Sequence, residues 1–295
     1  MSFDLVLFGG TGDLAWRKLM PALFQAFRHS SLPQDGRIVG VARDDLSDDQ
    51  YRELIQSRFS AVEGAKRPSP EEFKKFASML YYLRMDLSKP DDYARLADLL
   101  KQRDAKTIVM YVATAPALFT QVVEQIAAAG LNGPRTRIVL EKPLGHDLAS
   151  NRAINAAVGK VLEEKQVFRI DHYLGKPSVQ NLFAMRFGNA LFEPIWRREH
   201  IANIQITMAE DLGVEKRFGA ERVGAYERLL LDVIDGRLNL FVRSDEQEEA
   251  WRWVEPLIDS WASDGGPRPY AAGTWGPSAS SAMIARDGFS WGEEQ

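Results

Sequence analysis

The chain has 295 residues, carries 37 Lys and Arg against 41 Asp and Glu for a formal charge of −4, and is 45% apolar. At roughly 150 residues per domain that length suggests about two domains. Ordinary globular composition excludes disorder throughout, mild acidity argues against a dedicated nucleic-acid binder, and the absence of cysteine excludes disulfides, thiolate metal sites and a cysteine nucleophile.

Leu5–Phe8 is a continuous apolar run stopped by Gly9 and Gly10, the pattern of a strand buried on both faces. From Asp13 to His29, Leu14, Leu19, Leu23, Phe24 and Phe27 recur at helical spacing. Ile38–Ala42 reads as a second buried strand, and a charged helix follows from Ser47, a suitable N-cap. A basic loop containing proline leads to a helix near Glu71–Leu80, and Tyr81–Met85 reads as a third strand. Thr107–Ala113 and Arg137–Leu140 are two more, separated by a helix over Pro116–Ala129. Strands alternating with helices of this length imply right-handed βαβ crossovers and a parallel sheet. The first domain, residues 1–170, is therefore expected to be a doubly wound α/β unit.

The second half changes character. Asn203–Met208 alternates polar and apolar residues, as a strand with one wet face would. Such a strand with few neighbours presents an edge that invites pairing with another chain. Tyr226–Ile234 and Gln247–Trp261 have helical patterns, whereas the C-terminal stretch is rich in Gly, Pro, Ser and Trp without periodicity and reads as loop. The longest uncharged apolar-rich stretch, Thr107–Val123, contains Pro116 and falls short of the ~20 residues of a membrane span. Met1-Ser2-Phe3-Asp4 lacks the basic start of a secretory signal. A cytoplasmic protein with neither membrane nor nucleic-acid partner is expected.

Gly9-Gly-Thr-Gly-Asp-Leu14 lies between the first strand and the first helix. Glycines there permit positive φ and let a phosphate approach backbone N–H groups at the helix N-terminus. The pattern departs from G-x-G-x-x-G, since Ala15 fills the last position, so a plain tight turn is the competing reading. The second strand ends in Ala42-Arg43. An acidic residue there accepts a ribose 2′-hydroxyl, whereas a cation suits a 2′-phosphate. Combined with the glycine turn, Arg43 favours NADP, although alone it would pass for a surface arginine. Glu141-Lys-Pro143 follows the fifth strand, where ligands of open α/β sheets bind, so Lys142 lies where cofactor and substrate would meet, or is simply a loop lysine.

Arg169-Ile-Asp-His-Tyr-Leu-Gly-Lys176 packs Asp, His, Tyr and Lys together. Lys176 with the donors of His172 and Tyr173 would hold a phosphate dianion through charge-assisted bonds. Alternatively Asp171 orients a catalytic histidine, or the segment is a self-satisfied polar loop. In an extended segment the side chain of His172 would point away from Asp171. Glu210, beyond the alternating strand, says little by itself.

Together, Gly9-Gly-Thr-Gly-Asp-Leu-Ala-Trp-Arg-Lys-Leu19, Glu141-Lys-Pro-Leu-Gly145, Arg169-Ile-Asp-His-Tyr-Leu-Gly-Lys176 and the later Ala225-Tyr-Glu-Arg-Leu-Leu-Leu-Asp232 resemble the glucose-6-phosphate dehydrogenase family. The resemblance runs over nearly the whole chain. It implies an N-terminal Rossmann-like parallel sheet, a C-terminal α+β domain (here reduced, residues 171–295), and hydride transfer from C1 of glucose 6-phosphate to NADP in the oxidative pentose phosphate pathway. Carried over, it assigns Gly9, Gly10, Thr11, Gly12, Asp13 and Leu14 to the pyrophosphate and Arg43 to the 2′-phosphate. Asp86 and Leu87 would line the adenosine side, and Lys142 would touch both cofactor and sugar. His172, Tyr173 and Lys176 would grip the sugar phosphate, Glu210 would bind sugar hydroxyls, and Asp171 would orient the general base.

One part of the family pattern is missing. The family continues from a segment like Gly213-Val-Glu-Lys-Arg217 into one ending in Gln-Asn-His, whose histidine is the catalytic base. Here Arg217 runs directly into Ala225-Tyr226, and Gln-Asn-His occurs nowhere. The resemblance therefore implies an internal deletion near 217–225, an Asp171 without its histidine, and loss of most of the sheet that forms the family's homo-oligomer surface. The expectation is NADP binding with feeble turnover at best. A non-catalytic NADP-binding module of the same descent is the nearest alternative. A dehydrogenase or epimerase using a Tyr-x-x-x-Lys pair fits poorly, because only two residues separate Tyr173 from Lys176.

Overall fold

The computed structural model describes residues 2–60, 67–205, 224–266, 268–271, 274 and 276–291. Seven strands form one sheet in the order β3-β2-β1-β4-β5-β6-β7. They are β1 (Phe3–Phe8), β2 (Gly36–Ala42), β3 (Leu80–Arg84), β4 (Thr107–Val112), β5 (Thr136–Leu140), β6 (Val167–Ile170) and β7 (Phe241–Val242). The first six pair in parallel, and β7 runs antiparallel along β6. The order is that of the Rossmann fold, and its direction reverses between β1 and β4, where such sheets bind ligands.

Alternation along β1 shows why the sheet is covered on both sides. Leu5 and Leu7 enter one core with Phe24, Phe76 and Val233, while Val6 and Phe8 enter the other with Tyr93, Val122 and Ile126. Successive strand side chains point to opposite faces, so an unbroken apolar run demands two apolar layers. The first layer is α1 (Met20–Arg28), α2 (Asp48–Ser60), α3 (Pro70–Ala77) and α8 (Ala225–Asp235). The second is α4 (Pro90–Lys101), α5 (Phe119–Ala128) and α6 (Leu148–Gly159).

The five strands expected in the first domain are present to within two residues, and Ser47 caps α2. Its Oγ accepts from the Gln50 N–H at 3.2 Å, and its own N–H donates to Gln50 Oε1 at 2.8 Å. The first helix departs from the expected single run, because Ala15–Leu19 is a π-helical stretch before α1. Pro21 has no N–H to donate to the carbonyl of Arg17, and the Met20 N–H reaches back to Ala15 instead.

Three further expectations need correction. Asp171–Lys176 is a series of turns, with Leu174 N–H donating to Asp171 O at 2.9 Å and Lys176 N–H to Tyr173 O at 3.0 Å, not an extended segment. Asn203–Gln205 carries no strand, and 206–208 lie outside the described residues, as do Glu210 and the junction residues 217–223. The C-terminal stretch read as loop contains α10 (Ser278–Ala285), whose run of Ser, Ala, Met and Ile is broken by no glycine or proline.

The chain divides into two compact units, Met1–Gln180 with Val223–Trp251, and Asn181–Arg222 with Arg252–Gln295. In the first, α8 returns from far along the sequence to pack beside α1. Arg137 donates to the carbonyls of Val233 and Ile234, and His29 at the end of α1 meets the buried Glu227 of α8 at 2.7 Å. In the second, Phe183 stacks on Phe187 at the end of α7 (Pro177–Phe187), and Gln205 donates to the carbonyl of Ser290 at 2.9 Å. Among the described residues no helix, α9 (Ser244–Ser263) included, is long and apolar enough to cross a membrane.

Candidate functional site

The crevice at the β1–β4 reversal has two ends. At the first, the N–H groups of Gly9 and Gly10 both donate to Val41 O at 2.9 Å, and Gly12 N–H donates to Gly9 O at 2.9 Å. Gly9 has φ +87°, and a Cβ on Gly10 would sit 2.6 Å from Gly40 Cα. The turn is thus pressed against β2 so closely that only glycine fits. The helix beyond it begins at Asp13. Across the crevice, Thr114 Oγ1 is buried with no hydrogen-bond partner among the described residues, and a Cβ on Gly9 would lie 3.7 Å from Thr114 Cγ2. A buried hydroxyl without a partner is costly and calls for one. A glycine cradle at the start of a helix and this hydroxyl fit a dinucleotide, whose pyrophosphate such a turn accepts.

The flank of the cradle is charged. Arg43 follows β2 on the surface. Thr11 Oγ1 donates to Asp44 Oδ2 at 2.7 Å, and Tyr82 OH donates to Asp44 O at 2.8 Å. Asp86, beyond β3, accepts from the N–H and Oγ of Ser88, and these bonds, with Lys89 and Arg43 nearby, hold its carboxyl below the usual range. Leu87 O accepts from Tyr93 OH at 3.1 Å. Asp13 pairs with Arg17 at 2.7 Å.

The second end is built of side chains. Lys142 Nζ, after β5, meets Asp171 Oδ1 at 2.9 Å, and the same oxygen accepts the Tyr173 N–H at 3.0 Å. Lys176 Nζ stands 4.1 Å from the centroid of the Tyr173 ring and Lys142 Nζ 5.4 Å from it. The His172 ring lies 4.5 Å from that of Tyr173 and is stacked at 12° on Tyr226 of α8, 6.0 Å away. Burial lowers the His172 pKa first, then Lys142, with Lys176 and Lys18 adding to it and Asp171 opposing. Burial and the three lysines thus disfavour the protonated ring. Lys18 belongs to the helix that starts at the glycine turn, so the cation cluster adjoins the cradle.

Beneath Lys142, Glu141 is buried. Its carboxylate accepts from the phenols of Tyr111 and Tyr226 and from the Lys142 N–H. Burial raises its pKa above the usual carboxylate range against the pull of those bonds, and it raises both tyrosines as well.

The structure brings Lys142, Asp171, His172, Tyr173 and Lys176 together. Asp171 does not stand unpartnered: its carboxylate accepts from Lys142 and from the Tyr173 N–H, and none of its hydrogen bonds among the described residues goes to a histidine. Sequence reading missed Lys18, Asp44, Thr114, Glu141 and Tyr226 as parts of the site. Lys18 follows the turn by one helical repeat from Leu14 and could have been found that way. Tyr226 could not, since only the packing of α8 brings it to His172.

Known proteins share this architecture. A family model described as glucose-6-phosphate dehydrogenase, NAD binding domain, matches residues 6–181. Its companion for the C-terminal domain matches in two pieces, residues 183–220 and 217–292. A glucose-6-phosphate 1-dehydrogenase of Rhizobium meliloti is 28% identical over 479 aligned residues, covering 99% of this chain and 98% of the relative. That of Zymomonas mobilis is 44% identical over 215 residues, covering 73% of this chain but only 44% of the relative. A glucose-6-phosphate 1-dehydrogenase 2 of Mycobacterium bovis is 36% identical, covering 97% of this chain and 59% of the relative. The fold is similar to the crystal structure of the Mycobacterium avium enzyme, with a TM-score of 0.82 at 23% identity over 98% of each chain. It is equally similar, at 18% identity and over 98% of each chain, to a glucose-6-phosphate dehydrogenase in complex with its substrate.

Proposed function

The chain belongs to the glucose-6-phosphate dehydrogenase family, and on that premise we propose that it binds NADP and glucose 6-phosphate in the β1–β4 crevice but turns them over slowly. When bound, the nicotinamide coenzyme supplies the acceptor for a hydride from C1 of the sugar. Gly9, Gly10, Thr11, Gly12, Asp13 and Leu14 hold the pyrophosphate, Arg43 the 2′-phosphate, and Asp86 and Leu87 the adenosine side. His172, Tyr173 and Lys176, with Lys18, hold the sugar phosphate, and Glu210 the sugar hydroxyls. Lys142 serves both ligands and is steered by Asp171, which accepts from its ammonium group. The observation that carries this reading is the convergence of Lys142, Lys176, Tyr173 and His172 after β5 and β6, on the same sheet as the glycine cradle. Such a cluster suits a phosphate dianion.

Removing the C1 hydroxyl proton needs a base, and a positioned base contributes ~10²–10⁴-fold. His172 is committed to stacking and to the phosphate, and Asp171 to Lys142. A second reading, a binding module without catalysis, is favoured by the match of the C-terminal domain breaking into two pieces that meet at residues 217–220. The same split supports the loss of the family's oligomer surface, so light scattering should give something other than the family's assembly. A cytoplasmic location suits this chemistry. Titration calorimetry tests the reading: NADP and glucose 6-phosphate should each give heat, and absence of heat with both would overturn it.

A further inference from the structure

Two opposite charges follow β2 side by side, and they differ in how they are held. The Asp44 carboxylate accepts Thr11 Oγ1 at 2.7 Å, within the glycine turn, while its main-chain carbonyl accepts Tyr82 OH at 2.8 Å. Anchored from both the first turn and β3, this carboxylate stands at the mouth of the cradle. Around it Asp45 pairs with Arg84 at 3.3 Å, and Asp86 lies within the field of Arg43. The cation that would attract a 2′-phosphate is thus followed directly in the chain by Asp44 and acts on the carboxylate of Asp86.

A ribose with a free 2′-hydroxyl needs an acceptor where a 2′-phosphate needs a cation. A fixed carboxylate serves the first and repels the second. We propose that Asp44 is a specificity-determining residue that lets the crevice take NAD as well as NADP, with Arg43 and Asp44 dividing the two coenzymes between them. This rests on the reading of the crevice as a dinucleotide site and sharpens it to the identity of the 2′-substituent.

Titration calorimetry of the full chain with NAD and with NADP tests it, alongside D44N and R43A. Asparagine keeps an oxygen for the Thr11 hydroxyl, so the turn survives while the charge is lost. Wild type is expected to bind both coenzymes within about ten-fold of each other. Since exposed charge interactions are modest, D44N should tighten NADP about five-fold, weaken NAD, and lose part of the effect at high salt. R43A should do the reverse. A merely structural role for Asp44 would move both affinities the same way and would overturn the proposal, as would heat with NADP and none with NAD. Heat with neither coenzyme would overturn the parent reading and this one with it.

Discussion

The two ends of the crevice are made of different material. The nucleotide end is backbone: a turn of three glycines seated on β2, where side chains matter mainly by being absent. The phosphate end is side chains drawn from separate segments, with Lys18, Lys142, His172 and Lys176 supported from behind by Tyr226 of α8. A backbone cradle needs only its own strand and helix. The side-chain cluster needs a helix that returns from beyond residue 224. Shortening a chain therefore threatens the second end before the first.

The largest expected effect comes from breaking the backbone end. Gly10→Ala places a methyl 2.6 Å from Gly40 Cα and 2.9 Å from Val41 N. Strand backbone cannot step aside, so unfolding in urea should show a loss of about 3 kcal/mol, and calorimetry should lose the NADP signal. Retained NADP binding would show that the turn is not the cradle. Next, Lys176→Ala at the other end should weaken glucose 6-phosphate by about 1.5–3 kcal/mol and leave NADP unchanged. Equal weakening of both ligands would erase the distinction between the ends.

Tyr226→Phe removes one of two phenols from the buried Glu141. It should cost about 1–3 kcal/mol of stability. The pH dependence follows from the direction of the Glu141 shift. A carboxyl whose folded pKa lies above its unfolded value costs stability as the pH rises through that interval. Losing a phenol raises the folded value further, so the deficit of the variant should grow from acid toward neutral pH in parallel urea titrations. A deficit independent of pH would mean the phenol acts only by packing.

The smallest effect is a proton. His172 is held below its ordinary pKa by burial and the lysines, so its contribution to folding is complete above pH 6.5 and lost as the pH falls through the lowered value. A bound phosphate dianion offsets the lysines and raises that pKa. Glucose 6-phosphate binding near neutral pH should then take up less than one proton, measured by calorimetry in buffers of different ionisation enthalpy. His172→Gln should abolish the uptake; proton release by wild type would contradict the geometry.

How much was legible in the sequence follows the same division. Five of the six parallel strands were readable because two-sided burial leaves unbroken apolar runs such as Leu5–Phe8, whereas β6, only four residues long, was not; the glycine turn was readable because its constraint is local. The phosphate motif was legible as composition, but its shape was not: an extended reading of Asp171–Lys176 failed because turn hydrogen bonds between its own backbone groups outcompete a strand with no neighbour to pair. The Glu141–Tyr111–Tyr226 cluster and the Asp44 tether were hidden, since both join residues far apart in sequence through tertiary packing. The π-helical stretch at Ala15–Leu19 was readable in principle from Pro21, a donor missing where the helix needs one.

In this crevice both ligands find their places while the proton does not find its acceptor. The direct measurement is the rate of nicotinamide reduction by the purified chain at saturating NADP and glucose 6-phosphate, beside a full-length family member under the same conditions. A rate lower by ~10²–10⁴-fold is predicted, and a rate equal to the full-length enzyme's would contradict it.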